Sequence, residues 1–196
     1  MFQTFGIIGG VLGLIWCIPY IKDIFLKNTK PERASWLIWT VLGVISFFSQ
    51  LSKGATDLLW LTGGQTLGVA IVFILSLRFG VGGLAKRDII ALSFAGFSLL
   101  VWFLTKEATY ALFLVIAIDT SGSILTIIKS YEDPESETLI AWVLSGTSGL
   151  FGALAVGKWD FILLSYPLYL FIINYLIVGS MILGKNKAIA KKEINS

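Results

Sequence analysis

Seven apolar runs joined by short polar connections constrain this chain more than any other feature. They lie near Thr4–Ile21, Ala34–Leu51, Leu58–Leu77, Ile89–Leu104, Thr109–Ile128, Thr138–Val156 and Phe161–Leu183. A helix that crosses a bilayer needs roughly 20 mostly apolar residues. Every run except the fourth, the shortest, approaches that length. Inside hydrocarbon the backbone must satisfy its own hydrogen bonds, so such runs become helices. Composition agrees: 56% of the 196 residues are hydrophobic and 14% charged, with a mean hydropathy of +0.85. Soluble domains carry about 25% charged residues. The expectation is an all-α integral membrane protein, multi-pass in the cell membrane, with no separate soluble domain. Residues 185–196 read as a frayed Lys-rich tail. Met1-Phe-Gln-Thr lacks the basic stretch of a cleaved signal peptide, so the first helix is expected to stay in the fold.

Charge sets the expected orientation. Lys22, Lys27, Lys30, Arg33, Arg78, Lys86, Arg87, Lys129, Lys185, Lys187, Lys191 and Lys192 fall on one side of the seven runs. Only Lys53, Lys106 and Lys158 fall on the other. Positive residues in short loops mark the cytoplasmic side, which puts the N-terminus outside and the C-terminus in the cytoplasm.

A shift of 103 residues lays the first three runs on the last three without a gap. Lys30-Pro31-Glu32-Arg33-Ala34-Ser35-Trp36-Leu37-Ile38-Trp39 meets Asp133-Pro134-Glu135-Ser136-Glu137-Thr138-Leu139-Ile140-Ala141-Trp142, and Gly43, Phe48, Gly54 and Asp57 meet Gly146, Phe151, Gly157 and Asp160. Leu and Ile match by chance between apolar stretches, whereas Pro-Glu, Trp, Gly and Asp in one register do not. Three helices, one linker and three more give repeats that enter the membrane in the same direction. That is the parallel-repeat class of transporters, whose substrate site lies at the repeat interface near the midplane. The expected divisions are 1–80 (first triple-helix bundle), 81–106 (linker helix), 107–184 (second bundle) and 185–196 (tail).

This 3+1+3 chain, with an outside N-terminus and Pro19 late in its first helix, resembles the SWEET sugar transporters and the wider PQ-loop superfamily over roughly residues 4–183. The resemblance lies in topology. The family's Pro-Gln dipeptide is replaced by Pro19-Tyr20 in one repeat and Gly122-Ser123 in the other. Trp36-Leu37-Ile38-Trp39 is also similar to the Trp-x-x-Trp element of PnuC-type vitamin transporters, a family of generally opposite orientation.

Helix breakers fall at matched positions: Pro19 with Gly122, and Gly64 with Pro167. Such pairs point to hinges and a binding site, although Pro and Gly are also ordinary in membrane helices. The resemblance implies that Pro19 serves rocking between two access states. Asp119 is the one ionisable side chain inside a run. Residues of that kind mark pathways or proton relays, so Asp119 is a candidate proton-coupling site or a partner for a cationic solute. The structural alternative is a protonated Asp bonded to a neighbouring helix. Its repeat mate Trp16 is expected across the cavity, where it would stack on a ring or hold a cation. Packing of Trp16 in protein or lipid is the alternative.

The resemblance further implies that Asn174 grips solute hydroxyls. The matching position in the third helix is Ile71, with Gln65 and Thr66 nearby as substitutes. Trp142 is expected to line the cytoplasmic vestibule, and Tyr166 with Tyr169 to form an outer gate. Trp36, Trp39, Trp60, Trp102 and Trp159 sit near run ends and read as interfacial belts. Asp57 and Asp160 read as matched helix N-caps. The acidic loop Glu132–Glu137 is expected either to pair with basic Lys27–Arg33 across the mouth or to be a solvated surface.

Several functions are disfavoured. With no His, a Ser protease lacks its base, and Gly146-Thr147-Ser148-Gly149-Leu150 departs from Gly-x-Ser-x-Gly. An aspartyl enzyme needs two carboxylates within the spans, and an opsin needs a Lys inside its last helix. Neither is present. The expectation is a non-enzymatic transporter of a small polar solute (sugar-like, nucleoside or vitamin) by alternating access, either facilitative or proton-coupled. Its partners would be that solute, protons and membrane lipid, without nucleic acid, cofactor or metal. One chain suffices, and homo-oligomers stay open. The alternatives are a PnuC-like facilitator or a non-transporting scaffold or sensor of the same fold.

Overall fold

The computed structural model describes residues 2–52, 57–105, 108–159 and 161–194; the side chains of Trp60 and Trp102 lie outside that description. The described residues are all-helical. Their order is α1 (Phe2–Ile15), α2 (Cys17–Phe25), α3 (Arg33–Ser52), α4 (Asp57–Phe79), α5 (Lys86–Thr105), α6 (Ala108–Glu132), a 3-10 turn (Pro134–Ser136), α7 (Leu139–Ala155) and α8 (Phe161–Ile194). Three stretches, Phe2–Phe25, Phe113–Glu132 and Leu164–Ala190, are long and apolar enough to cross a membrane; Gly63–Phe79 and Leu139–Ala155 are shorter apolar helices.

Local chemistry explains the boundaries. Pro19 has no N–H to give the carbonyl of Ile15 and crowds it; α1 ends at Ile15 and α2 resumes at Cys17, with Trp16 in the break. The other breakers act differently. Helix α4 runs unbroken through Gly64, α6 through Gly122 and α8 through Pro167. Lys27, in left-handed conformation at φ 62°, turns the chain out of α2. Glu32 caps α3, its Oε2 accepting from the backbone N–H of Ser35 at 2.7 Å, with Ser35 Oγ 2.9 Å away. Asp88 caps α5, its Oδ2 accepting from the N–H groups of Gly83 and Ala85 at 2.6 and 2.9 Å. Glu32 thereby satisfies an amide that the first turn of α3 leaves unpaired, and Asp88 reaches back from the first turn of α5 to the chain that enters it.

Two sequence expectations change here. The tail is not frayed within the described residues, because α8 continues to Ile194. After Gly184 the chain is Lys-Asn-Lys-Ala-Ile-Ala-Lys-Lys-Glu, mostly good helix formers with nothing to stop the helix. The linker helix is not the shortest: α5 has 20 residues and α7 has 17, since Lys86–Asp88 belong to the first turn of α5. Asp160 and the side chain of Asp57 lie outside the described residues, as does their capping role.

Helix α7 packs on α8 and α1, α3 on α4 and α6, and α6 on α5 and α8. One core cluster gathers Tyr20, Ile24, Trp36, Val72, Ala141, Trp142, Ile177, Val178 and Met181. The other gathers Ala34, Ile38, Ala91, Ala95, Ile118 and Leu125. Large apolar side chains also face outward, among them Ile18, Leu67, Ile74, Phe97 and Phe103. Apolar surface of this kind suits contact with lipid or another protein better than contact with water.

Candidate functional site

Asp119 lies in the middle of α6, where Ile118, Ser121 and Ser123 are buried beside it. It is 6% exposed. Its Oδ1 accepts a 2.6 Å hydrogen bond from Trp39 Nε1 on α3, and Ser123 Oγ stands 3.5 Å away. Tyr166 Oη on α8 reaches Oδ2 at 3.5 Å. Tyr166 stacks on Tyr169, whose hydroxyl is 3.2 Å from Thr120 Oγ1. A buried polar group is tolerated only with such partners, and Asp119 draws them from α3, α6 and α8 together.

From Trp39 the site continues as a block of aromatic rings. Trp39 meets Trp36 edge-on at 5.0 Å between centroids, and Trp16 stacks on Trp36 at 5.7 Å and 20°. Tyr20 lies 4.9 Å from Trp36, and Trp142 lies 5.9 to 6.2 Å from Trp39, Tyr20 and Trp36. These spacings suit offset and edge-to-face ring attraction. The break at Trp16 brings its ring onto α3. The hydroxyl of Tyr20 and the indole N–H of Trp36 are buried without a hydrogen-bond partner, although almost all such groups have one.

Asp119, Trp16, Trp142 and Tyr166 are thus brought together, joined through Trp39 and Trp36. The belt reading is corrected for Trp36, which is 1% exposed, and for Trp39, which packs against the same core. Being near a helix end does not expose a ring when a partner helix covers that end. Trp159, 98% exposed, keeps the surface position expected of it. The sequence signal for the rings was the identity of Trp39 with Trp142 across the repeat.

Gln65 and Asn174 lie elsewhere. Gln65 Nε2 donates to the carbonyl of Gly13 on α1 at 3.2 Å. Asn174 donates to the carbonyl of Leu170, its Oδ1 is buried without a partner, and its Cβ packs against Gly146. Gly122 is a close-approach point. Ser35 Oγ donates to its carbonyl at 2.6 Å, and a Cβ there would touch Ser35 and Trp39 at 3.4 Å.

No known family, curated protein or solved structure matches this chain. The site's chemistry therefore rests on its own geometry: one carboxyl group, a wall of rings and orphaned polar atoms. Among the described residues no group of three or more metal-ligating side chains occurs.

One turn before Trp36, Glu32 is 1% exposed, with Oε1 unpartnered. Burial pushes its carboxyl above the ordinary Glu range, Ser35 opposes the shift, and Asp88 adds to it. The folded chain therefore holds the Glu32 proton more tightly than the unfolded chain. Stability associated with the neutral acid is complete below the ordinary Glu value and declines as pH rises through the raised one. Glu32→Gln, permanently neutral, is expected to lose less melting temperature than wild type over that interval. Parallel slopes in thermal scans from pH 4 to 8 would remove the burial effect.

Proposed function

We propose that the chain is a seven-span membrane transporter of parallel 3+1+3 repeats, similar to SWEET and PQ-loop proteins. It carries a small polar, ring-bearing solute (sugar-like, nucleoside or vitamin) by alternating access. The N-terminus lies outside and the C-terminus in the cytoplasm. The observation that carries the reading is Asp119, buried where α3 of one half meets α6 and α8 of the other, and bonded to an indole of the ring cluster. Rings offer stacking faces and Asp119 offers a hydrogen-bonding or proton-exchanging group, the usual makeup of a solute site.

Pairing across the halves supports the repeat. The first helix of each half packs on the second helix of the other: α1 on α7, and α6 on α3. Thr126 Oγ1 donates to Ser35 Oγ at 2.9 Å, and Thr138 Oγ1 donates to Asp23 Oδ2 at 2.9 Å. The 103-residue shift exchanges these two contacts, turning 23 into 126 and 35 into 138.

Uptake of sugars, nucleosides, vitamins and amino acids into proteoliposomes tests the reading. At least one ring-bearing solute is expected to enter faster than into empty vesicles, and Trp142→Ala to abolish that entry. A second reading, a scaffold of the same fold, is favoured by the dense packing of Trp16, Tyr20, Trp36 and Trp142. It predicts no uptake across the panel.

A further inference from the structure

The ring cluster ends at a buried ion pair that clamps the loop end of the two halves. Lys129, at the end of α6, and Glu137, just before α7, are 5% and 0% exposed. Lys129 Nζ pairs with Glu137 Oε1 and donates to the carbonyl of Lys30, in the loop between α2 and α3; it lies 3.3 Å from the carbonyl of Ser136. The other Glu137 oxygen accepts from Trp142 Nε1 at 2.8 Å. Around this pair the loops are stitched together. The Lys30 amide donates to Ser136 O at 2.8 Å, the Thr29 and Thr138 hydroxyls meet at 2.5 Å, and Lys30 Nζ faces Asp133 at 3.8 Å.

An exposed pair would be worth little. A buried one is expensive to desolvate and is retained most plainly where it fixes one arrangement against another. Every partner of Lys129 here is a loop group, and its contact with Lys30 joins the two halves. Trp142 ties the pair to Trp39, and Trp39 ties it to Asp119. We propose that Lys129 and Glu137 form a latch that holds the loop end shut, with Trp142 as the positioning residue that links the latch to the Asp119 site. This deepens the transporter reading and rests on it. A solute that moves Trp142 would pull on Glu137, and release of Lys129 would free the Lys30 loop.

Hydrogen exchange of the full chain in nanodiscs, without solute, tests the latch. Lys129→Met combined with Glu137→Gln removes both charges, so no unpaired ion is left behind. Amides of residues 28–30, 133 and 135–138 are expected to exchange about tenfold faster, the size of losing one charged hydrogen bond, while those of 69–79 stay within about twofold. Trp142→Phe keeps a ring but loses the N–H, and is expected to speed the same loops by a smaller factor. Unchanged loop exchange in the double variant would overturn the latch. So would a uniform rise across all helices with a lower melting temperature, which marks a brace. A rise in the double variant without one in Trp142→Phe would overturn the link to the site. Exchange needs no substrate, so failure here is separable from absence of uptake.

Discussion

Trp36→Ala is expected to lower stability by about 3 to 5 kcal/mol, the range for emptying a buried aromatic site. Trp36 touches the rings of Trp16, Tyr20, Trp39 and Trp142. Its removal leaves a void bounded by α2, α3 and α7, and the neighbouring rings cannot close it without abandoning their own partners. Trp159→Ala, at a ring almost wholly exposed, is expected to change stability by no more than about 0.5 kcal/mol. Thermal unfolding of both variants in one detergent measures the contrast. Equal melting temperatures would mean that the rings are not the core of the molecule.

The second large effect belongs to the α7–α8 seam. A Cβ at Gly149 would stand 2.7 Å from the amide nitrogen of Phe171 and 2.8 Å from the carbonyl of Pro167. Both are backbone atoms, which cannot swing aside as a side chain would, so Gly149→Ala must push two helices apart. Overpacking of this kind costs about 1 to 3 kcal/mol. Gly179, on the same helix α8, has nothing within 4 Å of its would-be Cβ. There Ala relieves the helical penalty of glycine, so Gly179→Ala is expected to be neutral or to gain up to about 1 kcal/mol. Opposite signs in paired thermal melts are the expected result. A tolerated Gly149→Ala would mean that α7 and α8 are not in close backbone contact.

Helix positions were legible because they depend on local features: apolar run length, Pro19, and the loops that interrupt the runs. The end of α8 was not, since a Lys-rich stretch reads as solvated whether or not it is helical. For the site, Asp119 was legible because a lone carboxylate in an apolar run is costly and therefore informative. Trp36 was misread because depth along a helix says nothing about which neighbour covers it. Glu137 and Lys129 looked like members of charged loops. Their burial follows from the approach of the 26–33 loop to the 133–138 loop, a long-range contact with no local signature. Gln65 and Asn174 show the same limit from the other side, since register alone does not say where an amide points.

If Asp119 acts on a moving solute, its loss costs transport and not only a helix contact. Solute uptake into proteoliposomes, with and without an inward proton gradient, compares wild type with Asp119→Asn. The substitution retains an acceptor for Trp39 and removes the titratable carboxyl group. Uptake by wild type is expected to fall at least about tenfold in Asp119→Asn, the scale of one charged hydrogen bond, while the variant folds and keeps its melting temperature within a few degrees. Uptake driven by the gradient and lost in the variant would identify Asp119 as the coupling group. Uptake equal in the two proteins would return Asp119 to a structural role as a helix contact.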